Sequence, residues 1–189
     1  MDPYLYPGTN VLKNLRHIPD AEILSKFEMD MATRRLAELA VKPTSGQFDR
    51  FHLQSIHRSI FQDVYAWAGE QRTVNIAKSG NLFALPQYLI PTLDQAFREL
   101  RNEDLFRGAD PNRFANRAAH YLGELNAVHP FRDGNGRTQR EFIRQLAVRN
   151  GYHLDWSRIS RTQMIDASRE SFRRSNQSLE QLLRSALVA

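Results

Sequence analysis

The stretch of sequence that decides the fold runs from 110 to 140 and reads DPNRFANRAAHYLGELNAVHPFRDGNGRTQR. Asp110 is a good helix N-cap, and Pro111 suits the first helical position because the N–H that proline lacks has no helical partner there. A single apolar stripe then recurs at spacings of three and four residues, through Phe114, Ala118, Leu122, Leu125 and Val128. A glycine-containing segment interrupts the pattern at 132–136, and helical spacing resumes from about Gly136 to Asn150. The stretch therefore predicts two helices joined by a short loop.

Helical spacing continues on both sides of this stretch. Asp20 is placed to cap a helix over about 20–40, and further helices are expected over about 87–103 and, as a pair, over 160–187. Between Asp49 and Ala68 the apolar residues also recur three and four apart, and Gly69 is placed to end that helix.

One segment has a different pattern. Residues 72–78 alternate polar and apolar, with Val74 and Ile76 on one face, and Ser79–Asn81 reads as a turn before the apolar run resumes. A short β-hairpin is therefore expected at about 72–84. Because an isolated hairpin is only marginally stable in water, it must lean on the helices or serve a function. The predicted fold class is all-α, a helical bundle with one short β-hairpin.

The size and composition of the chain suit one globular domain spanning 1–189. Its 189 residues are 41% hydrophobic and 25% charged, and they include no cysteine, which excludes thiol nucleophiles, cysteine zinc sites and disulfides. No run approaches the roughly 18 apolar residues that cross a bilayer. The N-terminus also lacks the pattern of a signal peptide. We therefore expect a cytoplasmic protein with no membrane partner.

The chain carries a net charge of +5, from 26 Lys and Arg against 21 Asp and Glu. Such a surplus suits an acidic ligand such as a nucleotide. Most of it comes from arginines that are spread along the chain rather than gathered in one tail. We therefore expect a solvated basic surface and no direct binding of nucleic acid.

Chemistry-bearing residues cluster between the two helices, at Asp133-Gly-Asn-Gly-Arg137. The alternate glycines allow the backbone to approach a ligand closely, and the start of the following helix offers unpaired N–H groups and a positive dipole end to phosphate. Arg137 and Arg140 lie three apart, so their guanidinium groups are expected on one face of that helix. Asp133 offers the oxygen ligand that Mg²⁺ prefers, and His129 has the near-neutral pKa of a general base.

Each feature alone also has a structural explanation, since DGNG is a good turn sequence and a histidine often caps a helix C-terminus. Together, however, residues 129–140 resemble the Fic motif, H-P-F-x-[D/E]-G-N-G-R-x-x-R, at every fixed position. Trp67–Arg72 resembles the W-A-G-x-x-R segment that precedes the flap hairpin of this family, and Asp2–Asn14 resembles the start of bacterial Fic toxins. The resemblance covers about residues 2–187.

The resemblance implies a protein adenylyltransferase that moves AMP from ATP to a Tyr, Thr or Ser hydroxyl of a target protein. His129 would be the catalytic base that removes the hydroxyl proton, because such a hydroxyl is too weakly acidic to attack unaided at neutral pH. Asp133 would hold Mg²⁺ against the α- and β-phosphates of ATP. Phe131 would be a core anchor of the motif.

The remaining motif residues would bind the nucleotide. By the same resemblance, Gly134, Asn135 and Gly136 would form an anion hole for the charge that develops on the α-phosphoryl group and the departing pyrophosphate. Arg137 and Arg140 would hold the β- and γ-phosphates.

The hairpin would be the flap on which the target docks. In the family an extended target segment pairs with the flap by β-augmentation, which holds its hydroxyl in register. The docking residues here would be Thr73, Val74, Asn75 and Ile76.

The resemblance also suggests partners. Short bacterial Fic toxins act on the ATPase subunits of DNA gyrase and topoisomerase IV, and the chain shows no obvious secretion domain, which favours that assignment over a secreted effector. The family's inhibitory helix carries S/T-x-x-x-E-[G/N], but no Ser or Thr of this chain has Glu four places on. We therefore expect a separate small helical antitoxin that supplies the glutamate.

Other functions stay open at this stage. A Doc-type kinase transfers the γ-phosphoryl group, but it has Ala in place of Gly134 and Lys in place of Gly136. Other Fic proteins transfer UMP, phosphocholine or phosphate, and related secreted effectors modify host GTPases. A basic nucleic-acid-binding protein or metal-dependent nuclease is a candidate of another class, which would use His120, Glu124 or Glu141 beside the motif.

Overall fold

The computed structural model describes residues 2–78, 81–173 and 175–188, and these residues form seven helices and two pairs of short strands. In chain order the elements are α1 (Ala21–Val41), α2 (Arg50–Phe61), β1 (Ala77–Lys78), β2 (Asn81–Leu82), α3 (Pro86–Asn102), α4 (Pro111–Val128), α5 (Asn135–Arg149), β3 (His153–Leu154), α6 (Arg161–Phe172), α7 (Gln177–Ala186) and β4 (Leu187–Val188). Short 3₁₀ turns lie at Asp104–Phe106 and Trp156–Arg158. The predicted all-α class with one small hairpin is confirmed.

The helices begin where their capping residues predict. The carboxylate of Asp20 accepts the N–H groups of Glu22 and Ile23 at 2.9 Å each, at the start of α1. Asp110 likewise accepts the N–H of Asn112 at 2.9 Å, with Pro111 as the first residue of α4. A cap of this kind contributes about 1 kcal/mol to helix stability. These starts follow from short-range chemistry, which explains why the sequence predicts them.

Helix α4 lies at the centre of the bundle. It packs against α3, α5, α6 and α7, while α2 packs against α5. Every residue of its predicted apolar stripe is buried, from Phe114 at its start to Val128 at its end. The C-terminus of α4, which leads into His129, is therefore anchored in the core.

The predicted extent of α2 is wrong. The helix ends at Phe61 and not at Ala68, although Val64, Tyr65 and Trp67 continue the helical spacing. Beyond Phe61 the chain runs through turns, in which the N–H groups of Val64 and Tyr65 both donate to the Phe61 carbonyl at 3.0 Å. The Tyr65 hydroxyl hydrogen-bonds to Glu28 of α1, and the Tyr65 ring stacks on Trp67. Tertiary contacts of these aromatic rings thus replace the last turns of the expected helix.

The predicted hairpin is present but short. Ala77 pairs with Leu82 and Lys78 with Asn81, and the N–H of Phe83 donates to the Ile76 carbonyl at 3.2 Å. Val74 and Ile76 are partly buried, whereas Thr73 and Asn75 are exposed, as the alternation predicts. The turn expected at Ser79 and Gly80 lies outside the described residues.

A second strand pair was not expected. β3 and β4 pair antiparallel, His153 opposite Val188 and Leu154 opposite Leu187, so the end of the chain is tied back to the segment after α5. Two-residue strands so far apart in the sequence leave no periodic signal that a reading of the sequence can detect.

Within the described part of the chain, no helix combines the length and apolar character that a membrane span requires.

Candidate active site

The loop between α4 and α5 is built around one glycine. Gly134 adopts a left-handed conformation with φ of 79° and ψ of 0° and caps the start of α5. A Cβ atom at this position would lie 2.3 Å from the Phe61 ring, a distance at which atoms overlap. Both the backbone conformation and the lack of space therefore require glycine here. The loop approaches the end of α2 so closely because this residue has no side chain.

Asn135 closes the loop into a fixed shape. Its side-chain oxygen accepts the Phe131 N–H at 2.9 Å, and its side-chain nitrogen donates to the Phe131 carbonyl at 2.8 Å. The side chain is buried, so these bonds are not exchanged for water. The Asn135 side chain, expected in the anion hole, thus shapes the loop, and any contact with phosphate is left to its backbone N–H.

His57 of α2 packs against the loop between α4 and α5. Its ring is buried and stacks on Phe131 with ring centres 3.9 Å apart, which confirms Phe131 as a core anchor. Its Nδ1 accepts the N–H of Gly69 at 2.8 Å, so the ring proton is on Nε2, which donates to the Asp133 carbonyl at 3.0 Å. Burial lowers the pKa of His57 to about 3, against the opposing effect of the Asp133 hydrogen bond, so the ring is neutral at pH 7.

The first turns of α5 have one buried side and one partly exposed side. Thr138 and Gln139 are buried, and the Gln139 side chain donates to the Leu125 carbonyl of α4 at 2.9 Å. Arg137 and Arg140, on the other side, are partly exposed. The backbone N–H groups of 135–137 begin the helix and by helix geometry have no acceptor within it. This combination of amides, dipole and arginines suits an anionic ligand such as a polyphosphate.

Arg137 is held by a group that the sequence did not reveal. Its guanidinium donates to the Glu28 carboxylate of α1 at 2.6 Å and lies over the Phe61 ring, 4.6 Å from the ring centre. The same carboxylate accepts the hydroxyl of Tyr65. Glu28 therefore fixes the direction of Arg137 and neutralises part of the positive charge in the cradle.

Arg140 has a different environment. Burial lowers the pKa of Arg140, and the nearby positive charge of Arg137 lowers it further. Residues three apart on a helix are neighbours on its surface, so the two positive charges repel each other. An anionic ligand between them would relieve this repulsion.

Asp133 is the candidate ligand for Mg²⁺. Half of its side chain is exposed, at 49%, and its Oδ1 lies 3.8 Å from the Arg137 guanidinium. Among the described residues no three His, Asp or Glu side chains are grouped to hold a metal ion. A single carboxylate nevertheless fits Mg²⁺ that arrives with a polyphosphate, because that ion takes its other ligands from phosphate and water.

His129 ends α4 in a left-handed conformation, with φ of 51° and ψ of 62°. Its N–H still donates to the Leu125 carbonyl at 3.0 Å, and its ring stacks on Phe83, with centres 3.9 Å apart and planes 14° apart. Nδ1 lies 3.2 Å from the Asn126 carbonyl, which can only accept, so the proton of the neutral ring is on Nδ1. The basic lone pair is then on Nε2.

The hairpin is attached to this site at its base. The N–H of Thr73 donates to the hydroxyl of Tyr4 at 3.2 Å, and the N–H of Ala84 donates to the Ala127 carbonyl at 3.3 Å. The expected docking residues thus begin at the edge of the site, and Phe83 brings β2 into contact with His129.

One of the nuclease candidates, Glu141, already has partners in the core. Glu141 is buried in the core, where Arg144 donates to its carboxylate at 2.7 Å and Gln145 donates to it at 2.8 Å. Glu124 is exposed and His120 partly buried, both off the apolar stripe of α4 as expected. Glu141 is therefore already paired.

Three residues that contact the site were not predicted from the sequence to do so: Glu28, His57 and Arg72. His57 left a signal, because it is a polar side chain among buried positions of α2. Arg72 belongs to the W-A-G-x-x-R segment, although its role was not assigned. Glu28 left no signal in the sequence, because its partner Arg137 lies 109 residues further along the chain.

Comparison with known proteins identifies the family. The Fic/DOC family profile matches residues 47–147. The protein adenylyltransferase VbhT of Bartonella schoenbuchensis is 45% identical over 99% of this chain, and the match covers 39% of the length of VbhT. The probable protein adenylyltransferase y4lH of Sinorhizobium fredii is 41% identical over 90% of this chain and 88% of the length of y4lH. The structure of BepC, a VirB-translocated effector from Bartonella tribocorum with bound AMPPNP, superposes with a TM-score of 0.90 at 27% identity over 98% of this chain and 96% of BepC. The chain belongs to the Fic/DOC family, as the motif at 129–140 predicts.

Proposed function

We propose that this chain is a protein adenylyltransferase that transfers AMP from ATP to a Tyr, Thr or Ser hydroxyl of another protein. The observation that carries the proposal is the closed loop between α4 and α5, which joins His129 to the amides and arginines at the start of α5. Relatives named as protein adenylyltransferases support the activity, and AMPPNP in BepC supports ATP as the co-substrate.

The reaction assigns a role to each group. His129 Nε2 takes the proton of the target hydroxyl, whose oxygen attacks the α-phosphorus as the bond to the pyrophosphate oxygen breaks. The N–H groups of 134–136 would meet the charge that develops, the one at Gly134 in place of its hydrogen bond to the Asp133 carboxylate. Arg137 and Arg140 would hold the β- and γ-phosphates. Asp133 would hold Mg²⁺, which would neutralise phosphate charge when bound. The products are the AMP ester of the target and pyrophosphate.

The glycines favour transfer of AMP over transfer of the terminal phosphate. Gly134 allows the loop to approach Phe61, and Gly136 leaves the first turn of α5 without a side chain beside Arg140. This leaves the amides open to the α-phosphoryl group next to the base. A lysine at 136, as in the Doc-type kinases, would occupy that space.

We further propose that the targets are the ATPase subunits of DNA gyrase and topoisomerase IV, and that Thr73, Val74, Asn75 and Ile76 dock an extended segment of the target. These residues lead directly into β1 of the two-residue strand pair, so a target segment paired with them would extend that short ladder. Host GTPases are the alternative targets, since BepC is a translocated effector.

Labelling of a bacterial lysate decides between these targets. Incubation with α-³²P-ATP and Mg²⁺ is expected to label bands at the sizes of the two topoisomerase ATPase subunits, with no label in the presence of EDTA. Absence of these bands, with label instead in a lysate of host cells, would overturn the assignment to topoisomerases.

We also propose that a separate small helical antitoxin restrains the chain. A carboxylate paired with Arg140 would occupy the position that the γ-phosphate needs. The described residues include no carboxylate paired with Arg140, and Glu28 is paired with Arg137 instead. Expression of the chain alone is therefore expected to arrest bacterial growth, and co-expression with its genomic neighbour to restore it. Unimpaired growth with active protein alone would refute this proposal.

A further inference from the structure

We propose that Arg72 is a positioning residue, which holds the hairpin in register with His129. The part of this inference that concerns target docking rests on the proposed function. The part that concerns the attachment of the hairpin rests on contacts of the chain alone.

Arg72 is unusual in its surroundings. Its side chain is buried, with 2% of its surface exposed. Its guanidinium donates to the carbonyls of His129 at 2.8 Å, of Val74 at 2.6 Å and of Val128 at 3.2 Å, and also to that of Ala84. Among the described residues, no carboxylate is paired with it. A buried charge is stable only when its hydrogen bonds are satisfied, and here main-chain oxygens satisfy them.

These four carbonyls belong to two parts of the fold, the end of α4 and the hairpin. Val128 and His129 end α4, where the helix dipole is negative and attracts a cation. Val74 and Ala84 flank the hairpin, one on each side of the strand pair. One rigid guanidinium therefore ties both ends of the hairpin to the last turn of the helix that carries His129.

The strand ladder by itself gives the hairpin little support. Its ladder is two residues long in each strand, too short for stability in isolation. The main-chain bonds from Arg72 N–H to the Pro130 carbonyl at 2.9 Å and from Ala84 N–H to the Ala127 carbonyl at 3.3 Å support it at the base. Loss of the Arg72 side chain would leave four buried or partly buried carbonyls without their donor, and the hairpin would be the part free to move.

The position of the hairpin affects His129 directly. Phe83 follows β2 and stacks on the His129 ring, so a displaced hairpin also removes the contact that orients the imidazole. It would equally displace a target segment paired with residues 73–76. Because a misplacement of about 1 Å can cost about 10²-fold in rate, Arg72 acts on transfer without touching the nucleotide.

The test uses Arg72→Lys, which keeps the charge but replaces a five-donor fork with a single ammonium group. The matched control is Arg107→Lys, at an exposed arginine paired only with Asp104. Three experiments are compared. They measure amide hydrogen exchange of residues 73–84, the dissociation constant for AMPPNP, and the kinetics (kcat and KM) with the protein that the wild-type chain labels in a lysate.

We expect faster exchange across 73–84 but not in α5, an unchanged dissociation constant for AMPPNP, and kcat/KM for the protein target reduced about 10²-fold. The KM for ATP stays the same while that for the target rises. The control behaves as wild type. Unchanged exchange and kinetics in the Arg72→Lys protein would overturn the inference, and so would equal losses of thermal stability, nucleotide binding and transfer.

If Arg72→Lys does not fold, Phe83→Leu takes its place, since it keeps an apolar side chain but removes the ring that stacks on His129, together with an edge contact to Phe172. Reduced transfer with unchanged AMPPNP binding then supports the coupling, and unchanged transfer refutes it. If the wild-type chain labels no protein, the proposed function fails, but the hydrogen-exchange measurement still decides whether Arg72 holds the hairpin.

Discussion

A His129→Ala protein is expected to bind ATP normally and to transfer AMP about 10²–10⁴-fold more slowly than the wild-type chain. His129 ends α4 across the loop from the amides and arginines of α5. In the proposed mechanism its imidazole therefore meets the proton of the target and not the polyphosphate. Calorimetric titration with AMPPNP gives the affinity, and incorporation of α-³²P into protein gives the rate.

The matched control for this experiment is His153→Ala, because His153 is exposed in β3 and lies outside the motif. It is expected to transfer AMP at the wild-type rate. Full transfer by a folded His129→Ala protein would remove His129 from the mechanism, and loss of AMPPNP binding in that protein would show that the imidazole serves the nucleotide site.

Gly134→Ala is expected to disrupt the loop and abolish transfer. Alanine in the left-handed conformation costs about 1–2 kcal/mol. Its Cβ would also overlap the Phe61 ring at 2.3 Å, and overpacking of this kind costs roughly 1–3 kcal/mol more. Relief of the overlap requires the loop to move, which displaces Asp133 and the first amides of α5. Urea unfolding measures the loss of stability, and the labelling assay measures the loss of transfer.

The variant Gly151→Ala separates the backbone cost of alanine from the cost of the overlap with Phe61. Gly151 has nearly the same conformation, with φ of 78° against 79° for Gly134, but no atom lies within 4 Å of a Cβ built there. It therefore reports the backbone cost alone, and transfer should survive. Equal destabilisation in the two variants, with transfer intact in Gly134→Ala, would show that the contact with Phe61 does not hold the loop.

The sequence predicts the parts of the fold that short-range chemistry decides. The starts of α1 and α4 follow from Asp20, Asp110 and Pro111, and the apolar stripe of α4 identifies the buried helix that ends at His129. The end of α2 was not predictable in this way. Val64, Tyr65 and Trp67 keep the helical spacing, but their positions are decided by distant groups such as Glu28.

The same distinction applies to the site. Residues 129–140 are contiguous, so their pattern predicts the cradle, and the structure brings these residues together as expected. The groups that position them come from elsewhere in the chain. Glu28 holds Arg137, His57 holds the Asp133 carbonyl and Arg72 holds the His129 carbonyl, and each contact spans 57 residues or more of sequence. Neither periodicity nor motif spacing carries that information.

Parallel incubations with ATP labelled at the α- or at the γ-phosphate test the central claim most directly. Each contains the chain, Mg²⁺ and a bacterial lysate, with His129→Ala as the inactive reference. On the proposal that the backbone at Gly134 and Gly136 leaves room for the α-phosphoryl group beside His129, protein-bound label is predicted from α-³²P-ATP and not from γ-³²P-ATP. Label from γ-³²P-ATP alone would make the chain a kinase and contradict the account.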